Sequence, residues 1–350
     1  MGTAVTLSGL SVFVSLMVAA LDPGVAPDVM IQESPVPSSR VRLLAVGDIN
    51  LGRNVGQEIL AGNTGFPFEY VADELHSYDL VIGNLECQLS DQQGETQHPL
   101  NNLIFTGPPS GAISLRLGGI AAVSTANNHA FDYGVSALRE TMKYLNEEQI
   151  IFAGTAESEE DLYSPTLFSV NGVTFAFFAC TGIMNIEDRI WTRYVAEADS
   201  GRLFPALRSV RPVVDIVILS FHGGAEYAAG PSPSTEEFAR ASVDAGVDLF
   251  LGHHPHVPQR IEQRGGSLIV YSLGNFVFRQ PFDFWTQRSF ALEVVIAKNG
   301  ADANLHWFHP RPVAAGDQPS FEVSPEDFGR LYERIAGTFY MKEGDLEWFN

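Results

Sequence analysis

The amino-acid sequence predicts an α/β domain whose polar chemistry collects at the carboxyl ends of its strands. Three observations lead there. From Arg40 onward, short runs of Val, Ile, Leu and Phe alternate with longer amphipathic stretches, the pattern of strands and helices in turn. Several of the short runs are apolar without interruption, as in strands covered on both faces. Six of them lead directly into Asp, Asn, Glu or His.

Ahead of this region lies an uncharged apolar run from Val5 to Leu21. Its length sits at the lower edge for a membrane span and just above a typical signal-peptide core. Ala19-Ala20 and Gly24-Val25-Ala26 offer small residues for cleavage, whereas no Lys or Arg precedes the run. Residues 1–26 are therefore expected to be a signal or anchor segment of atypical kind. That reading places the chain at the cell envelope or outside the cell, with membrane association through the N-terminus; a cytoplasmic apolar tail is the alternative. Residues 27–40 read as a Pro/Ser-rich linker, 41–310 as the main domain, and 311–350 as a C-terminal helix and tail.

Within the domain the strand candidates are Val41–Val46, Leu80–Ile82, Ile120–Ser124, Val173–Ala179, Val213–Ser220, Leu249–Leu251, Leu268–Tyr271 and Phe290–Ile296. Helices are expected near Phe68–His76, Val135–Gln149 and Thr235–Ala245, with another at Pro325–Ala336. In the second of these, Val135, Leu138, Met142 and Leu145 recur at three- and four-residue spacing and form one apolar stripe. Ser234 and Glu237 have capping-box spacing at the start of the third.

At 350 residues the chain can bury a large core, and its 45% hydrophobic content excludes a disordered chain. A formal charge of -21 argues against nucleic acid as a partner, because phosphate backbones are bound by clustered Lys and Arg. A polyanionic substrate would need a local cation to overcome that field. Cys87 and Cys180 are too few for a disulfide framework or a four-thiolate zinc site, and read as small buried thiols.

The six strand ends are Asp48-Ile49-Asn50, Asn84-Leu85-Glu86, Asn127-Asn128-His129 with Asp132, His222 with Glu226, His253-His254-Pro255-His256, and Ser272 to Asn275. Ligands of open α/β sheets bind outside such ends, so these residues share an address. Carboxylate, carboxamide and imidazole together make a mixed oxygen/nitrogen site for one or two divalent metal ions, with zinc, manganese, iron and calcium all open. Asp48, Glu86, Asn128, His222, His254 and His256 are the candidate ligands. His253 is a ligand, a supporting residue or a substrate contact, and sequence leaves open which two of the three histidines bind. His129 is the candidate proton donor or transition-state stabiliser, with Asp132 orienting its other nitrogen. Glu226 stands between a base and a solvated residue; Asn275 and Arg53 are candidate substrate contacts, Arg53 for an anionic group.

The segments GDINLGR (47–53), GNLE (83–86), ANNHAFDYG (126–134), HGGAEY (222–227), GHHPHVPQ (252–259) and YSLGNF (271–276) resemble, in order and spacing, the motif set of CapA-like proteins of poly-γ-glutamate capsule biosynthesis. That family is similar in turn to calcineurin-like metallophosphoesterases. The resemblance implies a four-layer α-β-β-α sandwich with a two-metal site, a bacterial setting at the cell envelope, and poly-γ-glutamate or another peptide or phosphate-bearing substrate. Against the Asp-x-His of metallophosphatases this chain has Asp48-Ile49-Asn50, and it has Asn84 and Glu86 where a bridging Asp is usual. Gly223 stands where the family usually carries Trp. The expected activity is a hydrolase or transferase acting on an amide or phosphate ester. The alternatives are metal-assisted peptide epimerisation and a non-catalytic, membrane-tethered accessory role beside a polymer synthase.

Overall fold

The computed structural model describes residues 39–336. The N-terminal apolar segment, most of the linker and the acidic tail lie outside the described residues. In chain order, the first strands are β1 (Ser39–Ile49), β2 (Leu80–Leu85), β3 (Gln88–Leu89), β4 (Thr106–Gly107), β5 (Ala122–Ser124), β6 (Ile151–Ala153) and β7 (Thr166–Val170). They are followed by β8 (Val173–Thr181), β9 (Ile216–His222), β10 (Leu249–His253), β11 (Ile261–Arg264), β12 (Ser267–Val270), β13 (Asn275–Val277), β14 (Arg288–Asn299) and β15 (Asp302–Ala314). The α-helices are α1 (Arg53–Leu60), α2 (Ala72–Leu75), α3 (Gly111–Leu117), α4 (Gly134–Glu147), α5 (Ser200–Val210), α6 (Pro233–Asp244) and α7 (Pro325–Ile335).

Two mixed sheets form the centre. One runs β15-β14-β1-β2-β5-β6, with β13 also paired to β1, and the other runs β11-β12-β10-β9-β8-β7. Side chains alternate along a strand, so each sheet has two apolar faces to cover. Val41, Leu43 and Ala45 of β1 join Phe175 and Phe177 of β8 and Ile216 and Ile218 of β9 in the core between the sheets. Leu44 and Val46 instead pack with Val55 and Ile59 of α1, Leu75 of α2 and Leu115 of α3 on the first sheet's outer face. On the second sheet's outer face, Ala176 and Phe178 meet Leu203 and Leu207 of α5 and Ala239 of α6. Each fully buried Val, Leu, Ile or Phe among these contributes about 1.5–3 kcal/mol. The result is the four-layer α-β-β-α sandwich that the resemblance implied.

All eight expected strands are present, with shifted ends. Val213–Ser220 starts later, at Ile216, because Arg211–Val213 is a single 3₁₀ turn around Pro212. The helix expected at Phe68–His76 is broken: a 3₁₀ turn covers Phe66–Phe68 and only Ala72–Leu75 is α-helical, with Val71 at φ −127° between them. The apolar spacing was sound, since Phe68, Val71 and Leu75 are all buried. The cap of α6 is Ser232, whose hydroxyl accepts from the Thr235 N–H at 3.1 Å, rather than Ser234. Pro233 at the first helical position explains the earlier start. The long strand β15 escapes a periodicity reading because it contains Pro310 and Pro312, yet it is an edge strand, where proline is tolerated. There the Pro310 carbonyl oxygen accepts from the Tyr332 hydroxyl of α7 at 2.8 Å. Cys87 and Cys180 are free and buried, and burial pushes the Cys87 thiol up to about 12.

Glu262 fastens β11 to α6. Its carboxylate accepts a two-pronged pair of bonds from Arg240 at 2.8 Å each, one from Arg260 at 2.9 Å and one from the Tyr271 hydroxyl at 2.9 Å. The Arg240 bonds lead in holding its pKa down to about 2. A depressed carboxyl stabilises the fold above its unfolded pKa and loses that contribution as pH falls through the folded value. Glu262→Gln is therefore expected to lower stability at pH 7 by about 1–3 kcal/mol. It should also flatten the parent's loss of stability between pH 4.5 and about 2, measured by urea midpoints.

Candidate metal centre

The parallel strands of both sheets end on one side, and their register lines up the polar residues. Asp48 on β1 is level with Asn84 on β2 and with Asn275 on β13. On the second sheet His253 of β10 is level with His222 of β9, which is level with Thr181 of β8. Asp48, Asn84, Glu86, His222 and Asn275 are fully buried, and Asn128, His129, His253, His254 and His256 nearly so.

The Asp48 N–H donates to the Gly274 carbonyl oxygen at 3.0 Å. Only glycine fits before it, because a Cβ on Gly47 would stand 1.9 Å from that oxygen. The Asp48 carboxylate accepts from Asn84 Nδ2 (2.9 Å) and His253 Nδ1 (3.1 Å) on one oxygen and from His256 Nδ1 (3.1 Å) on the other. Burial would raise its pKa, but the two imidazole bonds outweigh burial and hold the carboxyl well below its ordinary value. Glu86 behaves oppositely. Burial, then the charges of Asp48 and Glu226, push its carboxyl well above the usual range. Among the described residues its Oε1 has no hydrogen-bond partner, and it lies 3.6 Å from His256 Nε2 and 3.9 Å from His222 Nε2.

Each imidazole has a defined orientation. His256 Nδ1 donates between Asp48 and Asn275 Oδ1 (2.9 Å), which turns Nε2 toward Glu86. His222 donates from Nε2 to Asn128 Oδ1 at 2.7 Å and accepts from Asn84 on Nδ1 at 3.2 Å. Burial, reinforced by His254, pushes the His222 pKa well down. His254 Nδ1 is buried with no partner among the described residues, and burial with neighbouring His256 lowers its pKa to about 4. His254 and His256 hold φ angles of 93° and 59°, a left-handed backbone that bulky residues adopt mainly where function over-determines them.

Donor atoms of Asp48, Glu86 and His222 lie within 4.8 Å of one another, as do those of Glu86, His254 and His256. The two trios share Glu86. His222 and His254 held neutral, a carboxyl on Glu86 that resists ionising without a cation, and orphaned buried atoms on Glu86 and His254 all fit a divalent ion. Beside them, His129 Nδ1 is held by Asp132 Oδ2 at 2.9 Å, and its ring stacks on Phe105 with centroids 4.1 Å apart. His253 engages Asp48 rather than joining either trio. Glu226 is exposed near the rim, and Arg53 lies next to the centre over Phe105. Asn50 is engaged by the Gly52 N–H at 2.7 Å.

Asn84, named from its strand end but not among the candidate ligands, bonds Asp48, Glu86 and His222 at once and is itself held by Asn127 at 3.3 Å. Its place at the end of an apolar run, level with Asp48, is the signal that identifies it. Asn185, which accepts from Asn128 at 3.2 Å, is in a loop far along the chain and carries no local signal.

A family profile described as bacterial capsule synthesis protein PGA_cap matches residues 42–280. The chain is 29% identical over 338 residues to the capsule biosynthesis protein CapA of Bacillus anthracis, spanning 88% of this chain and 77% of that one. It is 32% identical over 279 residues to the PGA biosynthesis protein CapA of Bacillus subtilis, spanning 77% and 72%. A probable polyglutamine synthesis accessory protein of Mycobacterium tuberculosis is 28% identical over 168 residues, 43% of each chain. Among solved structures, a putative 5′-nucleotidase from Staphylococcus aureus superposes with a TM-score of 0.47 at 15% identity, over 85% of this chain and 58% of that one. The calcineurin-like phosphoesterase YfkN of Bacillus subtilis gives 0.45 at 12%, over 85% and 96%.

Asn84→Asp would add a third carboxylate beside Asp48 and Glu86 and remove the amide donor they share. In chelator-treated protein this variant is expected to lose about 1–3 kcal/mol, read as a lower urea midpoint at unchanged slope. An unchanged midpoint would show that Asn84 does not hold the cluster together.

Proposed function

The chain belongs to the bacterial capsule synthesis protein (PGA_cap) family, and from that premise we propose that it is a metal-dependent hydrolase or transferase of poly-γ-glutamate capsule synthesis or processing. Its target would be an amide or phosphate ester. One observation carries the reading: donors from strand ends of both sheets converge on buried Glu86, whose Oε1 is unpartnered, next to the equally unpartnered His254 Nδ1. Asp48, Glu86 and His222, and Glu86, His254 and His256, with Asn128 bonded to His222, are the residues that would hold one or two divalent ions. When bound, such an ion supplies positive charge to polarise a scissile carbonyl or phosphoryl oxygen.

The remaining residues do the positioning and proton work. Asp48 orients His253 and His256 through their Nδ1 atoms, as carboxylates behind metal-binding imidazoles do. Asp132 anchors His129 Nδ1, so proton exchange with substrate falls to Nε2, and Phe105 fixes the ring plane. Glu226, exposed near the rim, would relay protons to solvent.

A second reading, a non-catalytic accessory subunit, is favoured by Asn50 and Asn84 standing where metallophosphatases carry His and Asp, and by the printed name of the mycobacterial relative. Elemental analysis of the purified chain beside the Asp48→Ala/His254→Ala double variant separates the two. The enzyme reading expects near-stoichiometric metal in the parent and none in the variant. It also expects His129→Ala to lower turnover of a γ-glutamyl polymer by about 10²–10⁴-fold with metal content unchanged. A parent that takes up no zinc, manganese, iron or calcium would leave the accessory role. Racemised product without cleavage would point to epimerisation.

A further inference from the structure

A cleft of about 150 Å³ opens beside the centre and is lined by Asn50, Arg53, Gln97, Phe278, Arg279 and Asp317 among others. Arg53 is its inner wall. Its φ of 52° is left-handed for a non-glycine residue, and its N–H is tied to the Thr96 carbonyl oxygen at 2.9 Å. The guanidinium lies 4.5 Å from the Phe105 ring centroid and 5.4 Å from that of Phe278. Those same rings pack on the centre: Phe105 stacks on His129, and Phe278 meets His256 edge-on with centroids 5.0 Å apart. Two aromatic contacts thus fix a cation against the residues proposed to bind metal and move the proton.

The hydrogen-bonding capacity of that cation is mostly unspent. One terminal nitrogen donates to the Asn102 carbonyl oxygen at 3.1 Å, and Nε is buried with no partner among the described residues. Arg279 is exposed at the mouth of the cleft, and among the described residues Asp317 is the one acid lining it. Burial raises the Asp317 pKa against the pull of both arginines. Two guanidiniums and one carboxylate line the cleft, in a chain whose formal charge is -21. Planar guanidiniums match carboxylates in shape and bind them through paired N–H donors.

We propose that the Arg53–Arg279 cleft is a carboxylate-binding subsite that seats a free carboxylate of a γ-glutamyl chain while the adjoining amide reaches the Asp48–Glu86 centre. In a γ-linked chain every unit keeps its α-carboxylate one carbon from an amide nitrogen, so one short fragment spans cleft and centre. Asn50, which replaces the histidine of the metallophosphatase motif, lines the cleft. The choice of γ-glutamyl chain rests on the function proposed above; the carboxylate subsite does not.

The test is calorimetric titration of the full chain, chelator-treated and at low salt, with γ-linked triglutamate and with the same peptide carrying α-carboxamides. The acid form is expected to bind at least about 10-fold more tightly. Arg53→Gln and Arg279→Gln are each expected to reduce that preference to less than about 3-fold; Arg279 is exposed, so its variant guards against a folding artefact. Equal binding of both peptides, binding of neither, or an undiminished preference in both variants would overturn the subsite. Tighter binding of inorganic phosphate than of the acid peptide would overturn its assignment to carboxylate. Because the protein is metal-free throughout, a failed metal analysis leaves this result standing, and the converse holds.

Discussion

The buried carboxylate of Asp48 holds this end of the molecule together. It sits at the tip of a central strand of one sheet and receives its hydrogen bonds from Asn84 of the same sheet and from His253 and His256 of the other. A charge removed from water costs several kcal/mol unless donors surround it, so the three bonds are a condition of burying Asp48 at all. In meeting that condition they also fix the mutual position of the two sheets where their strands end. The left-handed turn at His254 and His256 brings the His256 Nε2 to 3.6 Å from Glu86 on the side away from Asp48.

Two asparagines set the electrostatics around that anchor. Asn84 supplies a donor where a bridging acid would supply a charge, and Asn50 is consumed by a local turn where a histidine would supply a ligand. The protein without a cation therefore has to bury one firmly ionised carboxylate, Asp48, beside a second, Glu86, that burial and its neighbours drive toward the protonated form. Fewer anionic ligands lower the affinity for a divalent ion and leave room in the charge balance for an anionic group from outside. The guanidinium of Arg53, held on two aromatic rings beside His129 and His256, lies where such a group would meet it.

Much of the fold was legible because its strands are continuous apolar runs: all eight expected strands are real, and the stripe of Leu138, Met142 and Leu145 lies on the buried face of α4. What local pattern missed has local causes. The helices α1 and α3 are two turns or so of mixed residues with Gly at or near their starts, and α5 contains Pro205. The prolines of β15 hide a strand, and Val71 interrupts a helix whose apolar spacing is intact. The candidate site was legible from shared strand-end addresses, which is why Asp48, Glu86, Asn128, His222, His254 and His256 could be gathered without coordinates. Asn185 and the packing of Arg53 on Phe105 and Phe278 depend on contacts between distant segments, and no window of sequence contains them.

The prolines of β15 have a consequence for how this protein behaves in company. Pro310 and Pro312 share one side of the strand, and their register with Leu292 and Phe290 of β14 is unbroken, so the missing donors fall on the open side. On that same side Tyr332 caps the Pro310 oxygen. An open sheet margin is the commonest template for unwanted strand addition between identical molecules. Here that margin is stripped of two donors and one acceptor, so a strand arriving from a neighbour finds little to hold. Colloidal stability at high local concentration is thus written into the backbone of the last strand and adds to the mutual repulsion of a strongly acidic surface.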